Sequence, residues 1–187
     1  ARPGAAALPG QWSFSGHLPA RGDVRGVMTV SAAEGDSFKV SLEGQYADGK
    51  PLKGSGSAIL YNGYEWRGNL EVDGVAMRQV FSALNGEMRG HMFESEHDER
   101  GLDFVAAKAG TPRLLAVQPG YLKAGSEAEL TLVGSDLSGK PDFGPGVAVV
   151  KVLEQSPERM RVRVRAAADA AAGSRKVALG SLEGASL

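Results

Sequence analysis

From Gln11 to Lys108 apolar residues return at every second position, and the alternation is broken repeatedly by Asp-Gly and Asn-Gly pairs. Successive side chains on a strand point to opposite faces, so a period of two puts Trp12, Phe14 and Gly16 on one face. The pattern recurs in residues 24–30 with Gly26, Met28 and Val30, and in residues 37–44 with Phe38, Val40 and Leu42 between Ser, Lys and Glu. Residues 55–62, 64–71, 75–81, 86–94 and 101–108 continue it, which predicts about eight half-buried strands, the number at which a small barrel closes. The intervening Asp48-Gly49, Asn62-Gly63, Asp73-Gly74 and Asn85-Gly86 pairs supply the positive φ angles of tight hairpins. Consecutive hairpins make an up-and-down meander. Closing the meander removes its two exposed edges, so the expected domain is an eight-stranded antiparallel barrel and not an open sheet.

Gly16, Gly26, Gly68 and Gly90 fall on the inferred inward face. A missing side chain there lets a strand bend sharply or makes room for a large neighbour. For Gly68 the expected neighbour is Trp66, Trp12 or Phe14. A barrel of this size is wide enough to be filled by side chains or to hold one small ligand. With Trp12, Phe14, Phe38, Trp66, Met77, Met88, Met92 and Phe104 available, a filled interior is favoured over a hollow one.

The strand rhythm stops at AGTPR, residues 109–113, where small residues and a proline mark a domain boundary. The expected organisation is a linker over residues 1–10, where ARPGAAALPG is rich in Pro, Gly and Ala, a barrel over 11–110 and a β-sandwich over 111–187. Beyond the boundary, residues 114–118, 128–133, 147–153, 160–166 and 176–179 read as about five strands, where an immunoglobulin-type sandwich has about seven, leaving room for a truncated domain. DAAAG at 169–173 is too short for a stable helix and reads as one turn. The two ends, one a linker-like stretch and the other without a closing element, look like those of a piece of a longer protein.

Few chemistries survive a reading of charge and residue type. The net charge of −1 gives no electrostatic case for nucleic acid or an anionic membrane, and no apolar run approaches the roughly 20 residues that cross a bilayer as a helix. The absence of cysteine removes disulfides, thiolate metal sites and haem attachment through C-x-x-C-H. Glu94, Glu96, His97, Asp98 and Glu99 could bind a cation, but they lie in one loop without a second ligating segment, so a solvated hairpin tip is favoured. His17 and His91 have no nucleophile or acid motif beside them. Arg21-Gly22-Asp23 invites an adhesion reading, yet the triplet is good turn chemistry on its own. Arg161, Arg163 and Arg165 alternate with Met160, Val162 and Val164, giving one basic and one buried face, the basic one a candidate contact for an acidic partner. Glu65 and Arg67 flank Trp66 on the outward face. With Tyr61 and Tyr64 they form a second candidate interface. No phosphate loop, paired catalytic acids or nucleophile elbow is present.

Several stretches resemble the alpha subunit of quinohaemoprotein amine dehydrogenase. They are GYEWRGNL with MRQVF, then VQPGYLKAGSEAELTLVGSDLSG, FGPGVAV, SPERMRVRV and ADAAAGSRKVALG. The resemblance implies that subunit's middle domain, a streptavidin-like barrel, followed by the first of its immunoglobulin-like (E-set) sandwiches. It further implies a periplasmic complex that oxidises primary amines and passes the electrons to haem c, with the cysteine tryptophylquinone carried by a small separate subunit. No catalytic, cofactor or metal position carries over, because this chain has no thiol to attach either group. The expected role is therefore non-catalytic: shaping the subunit and holding its neighbouring subunits. The competing expectation is a free barrel module that encloses a small apolar ligand.

Overall fold

Each alternating run becomes a strand in the computed structural model, which describes residues 7–62 and 65–187. The first eight are β1 (Gly10–Leu18), β2 (Gly22–Ala32), β3 (Ser37–Tyr46), β4 (Pro51–Asn62), β5 (Glu65–Val72), β6 (Val75–Leu84), β7 (Glu87–Glu94) and β8 (His97–Lys108). Neighbours pair antiparallel in chain order, and β1 returns to pair with β8 from Trp12↔Lys108 to Gly16↔Phe104, so the sheet is a closed eight-stranded barrel. Two hairpin turns work as their residues dictate. Asp73 and Gly74 have φ of 48° and 83°, Asn85 and Gly86 of 53° and 75°, the left-handed pair that joins Val72 to Val75 and Leu84 to Glu87. Asp48-Gly49 sits instead in a longer turn closed by the Tyr46 amide on the Lys50 carbonyl. Gly63 of the fourth expected turn lies outside the described residues.

All eight interior side chains expected from the alternation are buried in one apolar cluster. Trp66 is its centre: Phe38 meets it edge-on at 4.9 Å and Phe81 stacks parallel at 6.2 Å between centroids. Leu8 is 1% exposed within the same cluster, and the Trp12 indole donates to its carbonyl at 2.9 Å. The N-terminal stretch expected to be a linker thus delivers at least one side chain to the barrel core. Two buried polar atoms of this interior, Trp66 Nε1 and Gln79 Oε1, have no hydrogen-bond partner among the described residues.

Gly68 answers to backbone, not to an aromatic ring. A Cβ there would lie 2.6 Å from the Ser57 carbonyl oxygen and 3.3 Å from Ala58 Cβ on β4. The glycine lets the β4 backbone approach β5 closely. Room for a ring is the reason at Gly90, where a Cβ would come within 2.6 Å of Phe104 Cζ and 2.5 Å of Phe81 Cβ.

The chain divides into two compact units between Ala109 and Gly110. The second holds β9 (Arg113–Gln118), β10 (Glu127–Ser135), β11 (Pro141–Asp142), β12 (Val147–Gln155), β13 (Arg159–Ala166), β14 (Lys176–Leu179) and β15 (Leu182–Ser186). They form a four-stranded sheet, β12-β13-β10-β9, and a three-stranded sheet, β11-β14-β15. Leu130, Leu132, Met160, Val162, Val164, Val177 and Leu179 fill the space they share. The five strands expected here become seven. The two additions are β11, only two residues long, and β15, which pairs with β14 through Leu179↔Leu182 across a turn at Gly180 and Ser181. The DAAAG segment contributes no helix; a backbone bond from the Ala170 amide to the Ala167 carbonyl closes a turn at its start.

Candidate functional site

The outward face of β4 to β7 holds the residues of one of the two candidate interfaces. Ile59 on β4 faces Arg67 on β5, which faces Val80 on β6, while Asn69, Arg78 and Phe93 form the adjoining row. The Arg67 guanidinium lies 3.6 Å over the Tyr61 ring and donates from Nε and Nη2 to Glu65 Oε1, both at 3.3 Å. Tyr61, Glu65 and Arg67 are therefore brought together as expected, whereas Tyr64 lies outside the described residues. A groove of ≈ 440 Å³ opens beside them, lined by Ser57, Ile59, Arg67, Asn69, Arg78, Val80 and Phe93. Ile59 and Tyr61 are each 52% exposed. Sequence reading found the Tyr61–Arg67 corner but missed Ile59, Val80, Arg78 and Phe93, whose common surface depends on the register of four strands.

The other expected interface, the arginine face of β13, is largely neutralised. Arg161 donates to Glu154 Oε2 at 2.8 Å and to Glu129 Oε1 at 2.7 Å. Arg165 donates to Glu127 Oε2 at 2.9 Å, Arg163 lies 3.9 Å from Glu127, and Arg159 donates to Glu154 at 2.9 Å. The cause is register: β13 lies between β10, with Glu127 opposite Arg165 and Glu129 opposite Arg163, and β12, with Glu154 opposite Arg161. Partial burial disfavours the Glu154 carboxylate, but the hydrogen bonds from Arg161 and Arg159 outweigh it and hold its pKa below the ordinary range. Hydrogen bonds to Glu154 and Glu129 push Arg161 further up. The stripe is a ladder of cross-strand ion pairs, and a free basic surface is not what it presents.

Most of the other polar groups singled out in the sequence have structural partners. Arg21 of the Arg-Gly-Asp triplet lies 3.4 Å over the Tyr46 ring and 3.8 Å from Asp48, and Asp23 bonds His17 Nδ1 at 2.9 Å. The Tyr46 hydroxyl donates to Asp73 Oδ2, so the turns after β1, β3 and β5 are tied together. Burial, then the bond to Asp73 and its charge, push the Tyr46 pKa up to about 12 against the opposing Arg21 cation. His91 Nδ1 pairs with Asp103 across β7 and β8 at 2.8 Å. The five residues expected in one loop are divided: Glu94, paired to Arg100 at 3.6 Å, ends β7, Glu96 lies in the two-residue turn, and His97, Asp98 and Glu99 belong to β8. No group of three or more His, Cys, Asp or Glu among the described residues could hold a metal ion.

With this geometry in view, two family models account for the chain in order. Quinohemoprotein amine dehydrogenase alpha subunit domain II matches residues 5–109, and domain III of the same subunit matches residues 111–187. The chain belongs to the quinohemoprotein amine dehydrogenase alpha subunit family. The alpha-subunit matches thus meet at the same place where the two units divide. No curated protein matches. Among solved structures, a redesigned beta barrel, mFAP1, bound to DFHBI is 16% identical with a TM-score of 0.51, covering 56% of this chain and 97% of that one. The redesigned beta barrel b11L5F_LGL is 14% identical with a TM-score of 0.51, covering 57% and 96%. These likenesses concern the fold of the barrel alone. The family name brings haem and a quinone into view; having no cysteine, this alpha-subunit segment can attach neither through a thioether.

Proposed function

We propose that these domains are non-catalytic, subunit-contacting parts of the alpha subunit of a periplasmic amine dehydrogenase complex. The complex oxidises primary amines and passes the electrons to haem c, with that haem and the cysteine tryptophylquinone held by other parts of the assembly. The second domain takes the part of an immunoglobulin-like E-set module. The observation that carries the proposal is the ordered match of both units to domains II and III of one subunit, in a segment without a thiol. Quinone and haem enzymes leave the hard chemistry to the cofactor, and the protein binds, orients and encloses it. Two β units, each with its own buried apolar cluster, supply surfaces for that task. The alternative, a free barrel enclosing a small apolar ligand, has less support, because the interior is occupied by Trp66 and the rings packed on it.

The test is made on the purified chain and on the whole complex. The chain alone is expected to show no visible haem or quinone absorption and no amine-dependent reduction of an electron acceptor, while binding the remaining subunits. Turnover by the isolated chain, or its failure to associate with those subunits, would overturn the proposal. Cell fractionation that left the complex in the cytoplasm would remove the periplasmic assignment.

A further inference from the structure

We infer that the groove across β4 to β7 seats an extended, carboxylate-bearing segment of a partner subunit, with Arg78 as its anion anchor. The inference rests on the subunit-contact reading above and names the place and the chemistry of the contact. Barrels normally show water a convex face of polar side chains, alternating with the apolar ones turned inward. Here the outward positions of β4, β6 and β7 hold Ile59, Val80 and Phe93, half-exposed around a depression of ≈ 440 Å³. Four strands at about 4.8 Å spacing make it roughly 14 Å across, the span of about four extended residues at 3.3 Å each.

The charges specify the occupant. Arg67 is committed, stacked on Tyr61 and bonded to Glu65. Arg78 is exposed, and no carboxylate among the described residues comes within ion-pair distance of it, whereas Arg21, Arg89, Arg100, Arg159, Arg161, Arg163 and Arg165 each have one. Its register partners are Asn69 on one side and Phe93 on the other. An exposed guanidinium in register with Asn69 and Phe93 suits a carboxylate accepting two hydrogen bonds, with a neighbouring apolar side chain covering Ile59 and Val80. Such a contact desolvates one cation and meets it with one anion, so it stabilises a complex where an apolar segment alone would strand the charge.

The experiment compares the alpha subunit free and assembled with its partners. Hydroxyl-radical footprinting should show Tyr61 and Phe93 oxidised in the free subunit and protected in the complex. Arg78→Glu should weaken assembly by about tenfold or more, Arg78→Lys, which keeps the charge but not the two-donor fork, should weaken it less than Arg78→Glu, and neither should move the thermal midpoint of the free subunit. If the complex assembles with Tyr61 and Phe93 as reactive as before, the groove is not the contact, and the inference fails while the subunit-contact reading survives. If the groove is protected but Arg78→Glu assembles normally, the carboxylate assignment is wrong. If no association occurs at all, both readings fall.

Discussion

At the scale of single residues, Gly68 shows how much a sequence can say about a position without saying why. Its place on the inward face of β5 follows from the alternation of Trp66, Gly68 and Leu70. Its neighbour does not, because which part of β4 approaches it depends on a register that no local pattern encodes. The contact is the Ser57 carbonyl at 2.6 Å, and a backbone oxygen cannot rotate away as a side chain can. Gly68→Val should therefore lower the stability of the barrel by about 1–3 kcal/mol through overpacking, and Gly68→Ala should already be destabilising. Chemical denaturation measures this directly; an unchanged midpoint for both variants would show that the close approach of β4 to β5 does not need a glycine. The interior aromatics were legible for the opposite reason. Each is large, apolar and in phase, and in a closed barrel the inward phase has only one destination.

Among the elements, β13 was read correctly along its own length and incompletely across it. RMRVRVRA gives the buried Met160, Val162 and Val164 and the outward arginines without ambiguity. What the arginines face is fixed by β10 and β12, and the matching signal, Glu127 and Glu129 in antiphase to Ala128 and Leu130, becomes a charge ladder only once the strands are aligned. The β14–β15 hairpin had a local signal, Gly-Ser between two short alternating runs, that supports a two-residue turn. The ladder has a pH signature. The folded Glu154 pKa lies below its unfolded value, so its contribution is present above the unfolded pKa and lost as pH falls through the folded one. Glu154→Gln should accordingly flatten the acid limb of the stability profile below the ordinary carboxylate range while changing little in its shape near neutrality. Urea midpoints of the second unit taken from pH 7 down to pH 3 check this, at about 0.1 M salt because the pairs are partly exposed. Parallel acid limbs in the two proteins would remove Glu154 from the account.

For the whole molecule, the question is whether the two units are separate folding bodies or halves of one. The buried clusters argue for separation. Every residue of the first lies between Leu8 and Ala106, and every residue of the second between Leu114 and Ala185, with no residue common to both. The hydrogen bonding argues the same way for the barrel, because β1 pairs with β8 and leaves no strand edge for another element to cover. At about 100 residues the barrel is also of ordinary domain size. A chain ending at Ala109 should hence fold alone and unfold in one cooperative transition, with near-ultraviolet dichroism from the packed Trp66, Phe38 and Phe81 rings disappearing together with the far-ultraviolet strand signal. It must keep Leu8 to do so, since that side chain is part of the cluster and its carbonyl holds the Trp12 indole. A chain starting at Gly10 should therefore be less stable than one that keeps Leu8, by about 2–5 kcal/mol if the loss resembles that of a buried leucine elsewhere. A barrel that melted without cooperativity after truncation at Ala109 would mean that the second unit completes its fold, and the two would have to be counted as one domain.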